Sequence, residues 1–528
     1  RGIFTMSILA AGFKKITQAM QPTVFFSSAT IIIVFVFLAT LLTQKTGDFF
    51  NTLQSFIVNT FGWFYVASAT FFLGFILWLL FSRFSDIRLG GDEAKPQFSY
   101  LGWFSMLFSA GMGIGLVFWS VAEPMMHYAS PPIAAAETFA AQEEAMLYTF
   151  FHWGLHPWAV YIMFSLSLAY FHFRHQLPLA PRSLLYPILG QRIYGIMGHL
   201  VDIIAVFGTL FGVATSLGLG AMQVNTGLTQ LFGMANNTET QIIIIAAITL
   251  IATISVVSGI ERGIQWLSKT NMVLAAILLL FVLLTGPMLY LIELFVNSIG
   301  VYFQNLIRLS FWIDLRPESE WQSNWTLFYW SWWISWSPFV GIFIARISKG
   351  RTIREFIIGV LLVPTIITFL WLSIFGGTGL HIQLYGSGGL AEIVQKDVAL
   401  GLHAMLEHLP LTSITSIFAT VLVVIFFVTS SDSGSLVIDM ITSGGHPNPP
   451  TAQRIFWATT EGVVAAVLLA AGGLQALQTA SLTTGIPMTL FLLMVSYGLV
   501  KALKVDFETE AIPPRKALYQ GLSEHPER

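Results

Sequence analysis

The sequence predicts an all-α polytopic membrane protein of about twelve transmembrane helices. Three observations carry this reading. Only 10% of the 528 residues are charged while 55% are hydrophobic, and the mean hydropathy is +0.74. A soluble domain carries about 25% charged residues, so no water-facing shell could be assembled from this chain. Apolar runs of roughly the 20 residues that cross a bilayer recur along its length. Finally, the lysines and arginines collect in alternate connections between those runs.

In chain order the runs cover residues 22–43, 61–81, 101–124, 146–172, 197–232, 241–257, 272–291, 325–347, 356–375, 411–440, 455–471 and 485–500. Ten-residue alternation of the kind that builds membrane barrels is missing, so the runs read as helices. With the N-terminus in the cytoplasm, only Lys45, Arg308, Arg316 and Lys396 of the 25 lysines and arginines fall outside. Both termini are therefore expected in the cytoplasm, in a multi-pass protein of the cell (plasma or inner) membrane. Residues 1–5, ahead of Met6, read as a vector-derived remnant. No cleavable signal peptide is evident, because the first long run lacks a small-residue cleavage site. Residues 291–313 mix apolar side chains with Glu293, Asn297, Gln304, Asn305 and Arg308, which predicts an amphipathic helix lying on the outer surface. The expected organisation is a cytoplasmic N-terminus (1–21), two peripheral helices (22–100), a first helical unit (101–291), an extracellular surface helix and loop (292–324), a second helical unit (325–500) and a short cytoplasmic tail (501–528).

Composition also excludes functions. A net charge of −2 without a basic block speaks against nucleic-acid binding. The absence of cysteine removes thiol chemistry and cysteine-ligated metals. No phosphate-binding loop follows a strand, so direct drive by ATP within this chain is excluded.

Four passages break the apolar monotony. In the third run, Ser109-Ala110-Gly111-Met112-Gly113-Ile114-Gly115 places three alternate glycines at mid-span. Each weakens a helix by about 1 kcal/mol relative to alanine and permits unwinding. Unwound backbone at that depth must line a cavity or be buried in protein, where it offers carbonyls to a cation and N–H groups to a carboxylate. Close helix packing through small residues would use the same pattern. In the fourth run, Trp153, Trp158 and Tyr161 surround Gly154 and Pro157. Tyr161 lies about 22 Å past the start of its span, too deep for an interfacial aromatic belt. The eighth run holds Trp330, Trp332, Trp333 and Trp336, and the set Trp330–Trp333–Trp336 reads as one stripe. A quaternary ammonium has no N–H to donate and is held instead by ring faces, at about 2 kcal/mol or more per desolvated contact. An aromatic packing stripe is the alternative. The tenth run contains Thr429-Ser430-Ser431-Asp432-Ser433, polar groups that are costly in a membrane unless paired. Their hydroxyls are the hard ligands sodium prefers, although hydroxyl contacts between helices would also use them.

Together these passages, with 345–354, resemble the betaine/carnitine/choline transporter (BCCT) family over residues 61–504. The resemblance implies a LeuT-like core of two inverted five-helix repeats, 101–291 and 325–500, and a homotrimer with the surface helix at the contact. It implies a secondary active transporter importing a quaternary ammonium or sulfonium solute of the glycine betaine type, coupled to Na⁺ in symport, with no cofactor and no enzymatic activity. The cage would fall on Trp153, Trp158, Tyr161 and Trp333, with Trp336 and Trp330 on the inward-leading path. Ser216 would lie near the substrate, and the backbone of Gly111, Gly113 and Gly115 would face its carboxylate. Sodium would be held by the carbonyls of Ser109, Met112 and Phe426 and the side chains of Thr429 and Ser430. A second site would use Thr209 and Phe339, but Val213 stands where a second threonine is needed, and a methyl cannot coordinate a cation. Choline carriers of the family favour Asp at the last position of the glycine motif; Gly115 there suggests a zwitterion. The competing readings are an H⁺-coupled choline transporter, a channel and, more remotely, an intramembrane metal enzyme using His152/His156 and His172/His175.

Overall fold

In a computed structural model, residues 20–510 are described except 112, 258–260, 317, 447 and 448, with backbone alone at 108–111, 256–257, 261–265 and 509–510. The described chain is a bundle of helices whose connections hold one isolated two-residue bridge, Arg88 to Thr352. Among the described residues, eight helices are long and apolar enough to cross a membrane. They are α1 (Pro22–Leu41), α2 (Thr43–Phe81), α7 (Ile196–Phe232), α8 (Thr238–Val257), α9 (Glu261–Thr285), α12 (Ile353–Tyr385), α13 (Thr412–Thr442) and α14 (Thr451–Glu510). The last two predicted runs both lie in α14, which kinks where Gly472 and Gly473 leave helical geometry.

The three remaining runs form helices that fail that test because they are interrupted or polar. The third run is α3 (Tyr100–Gly111) and α4 (Ile114–Ala129), separated around Gly113, whose backbone is extended. The fourth is α5 (Phe139–Trp153) and α6 (Leu155–His175), broken at Gly154. The eighth is α11 (Phe328–Arg346), entered through a π-helical turn at Ser323–Leu327. Such turns loosen the helical ladder and concentrate at functional positions. α11 is wedged among α6, α7 and α14, and α4 packs on α5 and α12.

Two connections differ from the reading. Residues 44–60, expected as an outer linker, continue α2, which runs for 39 residues. The segment is held against the kink of α14. Gly47 sits so close to the Ala471 carbonyl that a Cβ would approach it to 2.5 Å, and buried Gln54 accepts from Thr479 Oγ1 at 3.0 Å. Residues 386–411 form the short helices Leu390–Lys396 and Gly401–Leu406, which lie across α4. The amphipathic helix α10 occupies Met288–Ser310, a few residues earlier than expected. It buries Leu291, Leu294 and Tyr302 against α5 and α12 while Val296, Phe303 and Ile307 stay exposed.

Hydroxyl groups tie the bundle at depth. Ser335 Oγ donates to the Ser481 carbonyl (2.9 Å), Thr215 Oγ1 to the Leu477 carbonyl (3.0 Å), and Tyr65 Oη to the Leu482 carbonyl (2.6 Å). Bonds of this kind hold helices together where lipid offers no hydrophobic drive, at about 0.6 kcal/mol each.

Candidate functional site

The interruptions converge. One cavity lies where the start of α4, the break between α5 and α6, and the middle of α11 meet. Its walls are Gly113, Gly115 and Leu116 from the broken third span, Trp153, Pro157, Trp158 and Tyr161 from the fourth, Trp332, Trp333 and Trp336 from α11, and Thr368 from α12.

Each wall has a local cause. Gly154 ends α5 because its surroundings leave no room for a side chain. A Cβ there would lie 2.6 Å from the Phe150 carbonyl and 2.8 Å from Tyr302 Oη. The same Tyr302, reaching in from α10, accepts from the Leu155 N–H at 3.1 Å and so satisfies one of the free donors that begin α6. The break swings Trp153 toward Trp333, edge to face at 4.9 Å and 70°. Trp158 and Tyr161, three residues apart on one face, meet at 5.5 Å and 77°, and Tyr161 meets Trp333 at 6.2 Å and 76°. On α11 the planes of Trp332, Trp333 and Trp336 lie within 12° to 25° of parallel.

Of the residues expected in the site, Trp153, Trp158, Tyr161, Trp333, Trp336, Gly113 and Gly115 all border this cavity. Trp330 does not. It is buried against His156, stacked at 5.2 Å and 22°, and against Phe151 at 5.0 Å. A step of three residues falls about 60° short of a full turn, so over six residues the expected stripe drifts off the face. Trp332, at i−4 from Trp336 and so on the same face, borders the cavity. Gly115 makes room for it: a Cβ there would come within 2.5 Å of the Trp332 ring. Ser216 is buried and turns its hydroxyl back to the Gly212 carbonyl (3.3 Å), without bordering the cavity. Gly111 closes α3.

The expected sodium ligands are only partly described. Met112 and the side chain of Ser109 lie outside the described residues. Phe426 is buried, while Thr429 and Ser430 are half-buried; Thr429 Oγ1 donates to the carbonyls of Ile425 (2.9 Å) and Phe426 (3.2 Å). At the second position, Thr209 Oγ1 is fully buried with no side-chain or backbone partner among the described residues. Phe339 stacks on Trp336 at 5.3 Å, and Val213 is buried.

Glu123 was not foreseen, although an acid at the edge of the third run was a visible signal. It is fully buried on α4. Trp153 Nε1 (2.7 Å) and Tyr329 Oη (2.5 Å) donate to its Oε2, and His152 Nδ1 (2.7 Å) and His127 Nε2 (3.2 Å) contact its Oε1. His152 therefore serves Glu123, while His156 meets Ser310 Oγ at 3.1 Å. His172 and His175 likewise diverge, one to the Leu177 carbonyl and the other to Asp506. Neither histidine pair forms a shared ligand set.

Among the described residues the cavity wall is aromatic and carries no carboxylate, guanidinium or ammonium group. Two donors on it, Tyr161 Oη and Trp336 Nε1, are buried with no partner among the described residues. Ring faces suit a cation that cannot hydrogen-bond, and free donors suit an anionic end. Fold and site together define a polytopic helical membrane protein with a buried aromatic cavity. The family described as betaine/carnitine/choline family transporter matches residues 23–508. A glycine betaine transporter of Bacillus subtilis is 48% identical over 86% of this chain and 88% of its own length. A glycine betaine transporter of Acinetobacter baylyi is 45% identical over 92% of this chain and 74% of its own. A glycine betaine/proline/choline transporter of Vibrio parahaemolyticus is 45% identical over 91% and 89%. This chain belongs to the BCCT family; it is a membrane transporter and not an enzyme.

Proposed function

We infer that the protein imports glycine betaine or a similar zwitterionic onium solute across the cell membrane, with Na⁺ as the symported ion. The observation that carries this is the cavity bordered together by Trp153, Trp158, Tyr161 and Trp333. The trimethylammonium group sits among those rings. The carboxylate turns toward Gly113 and Gly115 and the free donors of Tyr161 and Trp336. Gly115 supports a zwitterion over choline, because the side chain that would offer a carboxylate to a pure cation has its place filled by Trp332. Sodium, held near Thr429 and Ser430, links the interrupted third span to α13. The two five-helix units, 101–291 and 325–500, then move against each other, as expected of inverted repeats. Both termini are cytoplasmic in this reading, and the exposed apolar side of α10 is the contact of a homotrimer.

The test is uptake of labelled glycine betaine and labelled choline into proteoliposomes, with sodium and proton gradients imposed separately. Betaine uptake driven by the sodium gradient is expected. Choline uptake driven only by the proton gradient would replace this reading with that of a proton-coupled choline carrier.

A further inference from the structure

Glu123 does not touch the cavity, yet it is the hub from which two of the cavity's rings are hung. Its Oε2 accepts directly from Trp153 Nε1 at 2.7 Å, and His152, in contact with Oε1 at 2.7 Å, offers its carbonyl to Trp333 Nε1 at 2.9 Å. Tyr329, the other donor to Oε2, packs edge-on against Trp153 at 5.5 Å. With His127 Nε2 and His152 Nδ1 carrying their protons, four donors fill the four lone-pair directions of an ionised carboxylate, and the indole N–H of Trp153 can only donate. A metal bridging Glu123 and His152 would hold its ligand atoms about 2.0–2.1 Å away and so about 3.3 Å from each other. The observed 2.7 Å is a direct hydrogen bond. No lysine or arginine pairs with this carboxylate among the described residues.

We propose that Glu123 is the buried countercharge of the aromatic cavity, a residue that determines specificity for a positively charged solute from behind the ring of Trp153. This rests on the reading of the cavity as an onium site. A carboxylate at the N–H edge of an indole polarises the ring and makes its face more negative, which strengthens its hold on a cation. The charge also acts through space, in a bundle where little water screens it. A solute of the same shape whose head group carries no positive charge gains from neither effect.

The test compares glycine betaine with 3,3-dimethylbutanoate, which has carbon in place of nitrogen and therefore the same shape without the positive charge. Affinities are read from tryptophan fluorescence of the purified protein. The wild type is expected to bind betaine at least tenfold more tightly. In Glu123→Gln the betaine Kd should rise about tenfold while that of the carbon analogue moves less than twofold, so the preference collapses. Glu123→Asp should restore most of it. Tyr329→Phe, which removes one donor and leaves the charge, should keep it. Equal weakening of both ligands in Glu123→Gln, no change in either, or loss of the preference in Tyr329→Phe would each overturn the proposal. A wild type that does not distinguish the two ligands would count against the onium cavity itself, and is told apart because it appears before any substitution is made.

Discussion

Trp333 and Trp330 differ by three positions and share a residue type, yet they have unlike surroundings. Trp333 meets Trp153, Tyr161 and Trp332 around the cavity, whereas Trp330 is stacked on His156 behind it. Losing one desolvated ring face removes about 2 kcal/mol from a bound onium group. Trp333→Leu is therefore expected to raise the KM for betaine uptake by an order of magnitude or more. An unchanged KM would remove Trp333 from the site. Trp330→Leu should leave KM within about twofold but lower the melting temperature in detergent, because a large buried side chain is lost. At this scale the kinds of residue were legible and their exact partners were not. Trp153, Trp158 and Tyr161 could be read because a proline, a glycine and depth in the span marked them. Trp332 could not, because four tryptophans within seven residues leave the phase of the helix undetermined until its neighbours are known. Thr368 shares its run with Thr365 and Ser373, and nothing set it apart from them.

Among the elements, the interrupted ones border the cavity and the connections fix their positions. The connection 345–354 docks on residues 82–99. Leu89 N–H donates to the Arg351 carbonyl at 2.8 Å, Arg351 donates to the Phe98 carbonyl at 2.7 Å, and its guanidinium lies over Tyr100 and Trp103. Gly350 makes the approach possible at φ +81°, with a Cβ position only 2.2 Å from the Lys95 carbonyl oxygen. Gly350→Ala should cost about 1–3 kcal/mol, read as a drop in melting temperature; an unaltered value would mean that this docking contributes nothing. In the loop after α10, hydrogen bonds from Arg316 and then Ser319 hold the Asp314 carboxyl down at about 2. A carboxyl held below its unfolded value of about 3.9 contributes order that is complete above that pH and lost as pH falls through the folded value. Hydrogen exchange at the amides of Asp314 and Arg316, corrected for intrinsic rates, should be constant from pH 7 to 5 and rise between about pH 4 and 2. A rise already at pH 5 would contradict the pairing. For α13, Thr429→Ala combined with Ser430→Ala should abolish stimulation of uptake by sodium. Uptake that remains equally sodium-dependent would place the ion elsewhere.

At the scale of the whole molecule, the sequence by itself determined that the chain is a helical membrane protein, because composition and run length are additive properties that need no knowledge of contacts. It also determined where regular helix must fail, since glycine and proline act on their own backbone. The resemblance drew its strength from the same positions. Tertiary structure decided where those failures meet. It brought the breaks of the third and fourth spans to one point on α11, set Trp332 on the cavity wall, turned a supposed linker into the first half of α2, and joined His152 to Glu123 instead of to His156. Each of these is a relation between residues distant in the chain. Such relations are set by which helix faces meet, and helix faces in an almost uniformly apolar sequence carry too little contrast to declare their partners in advance.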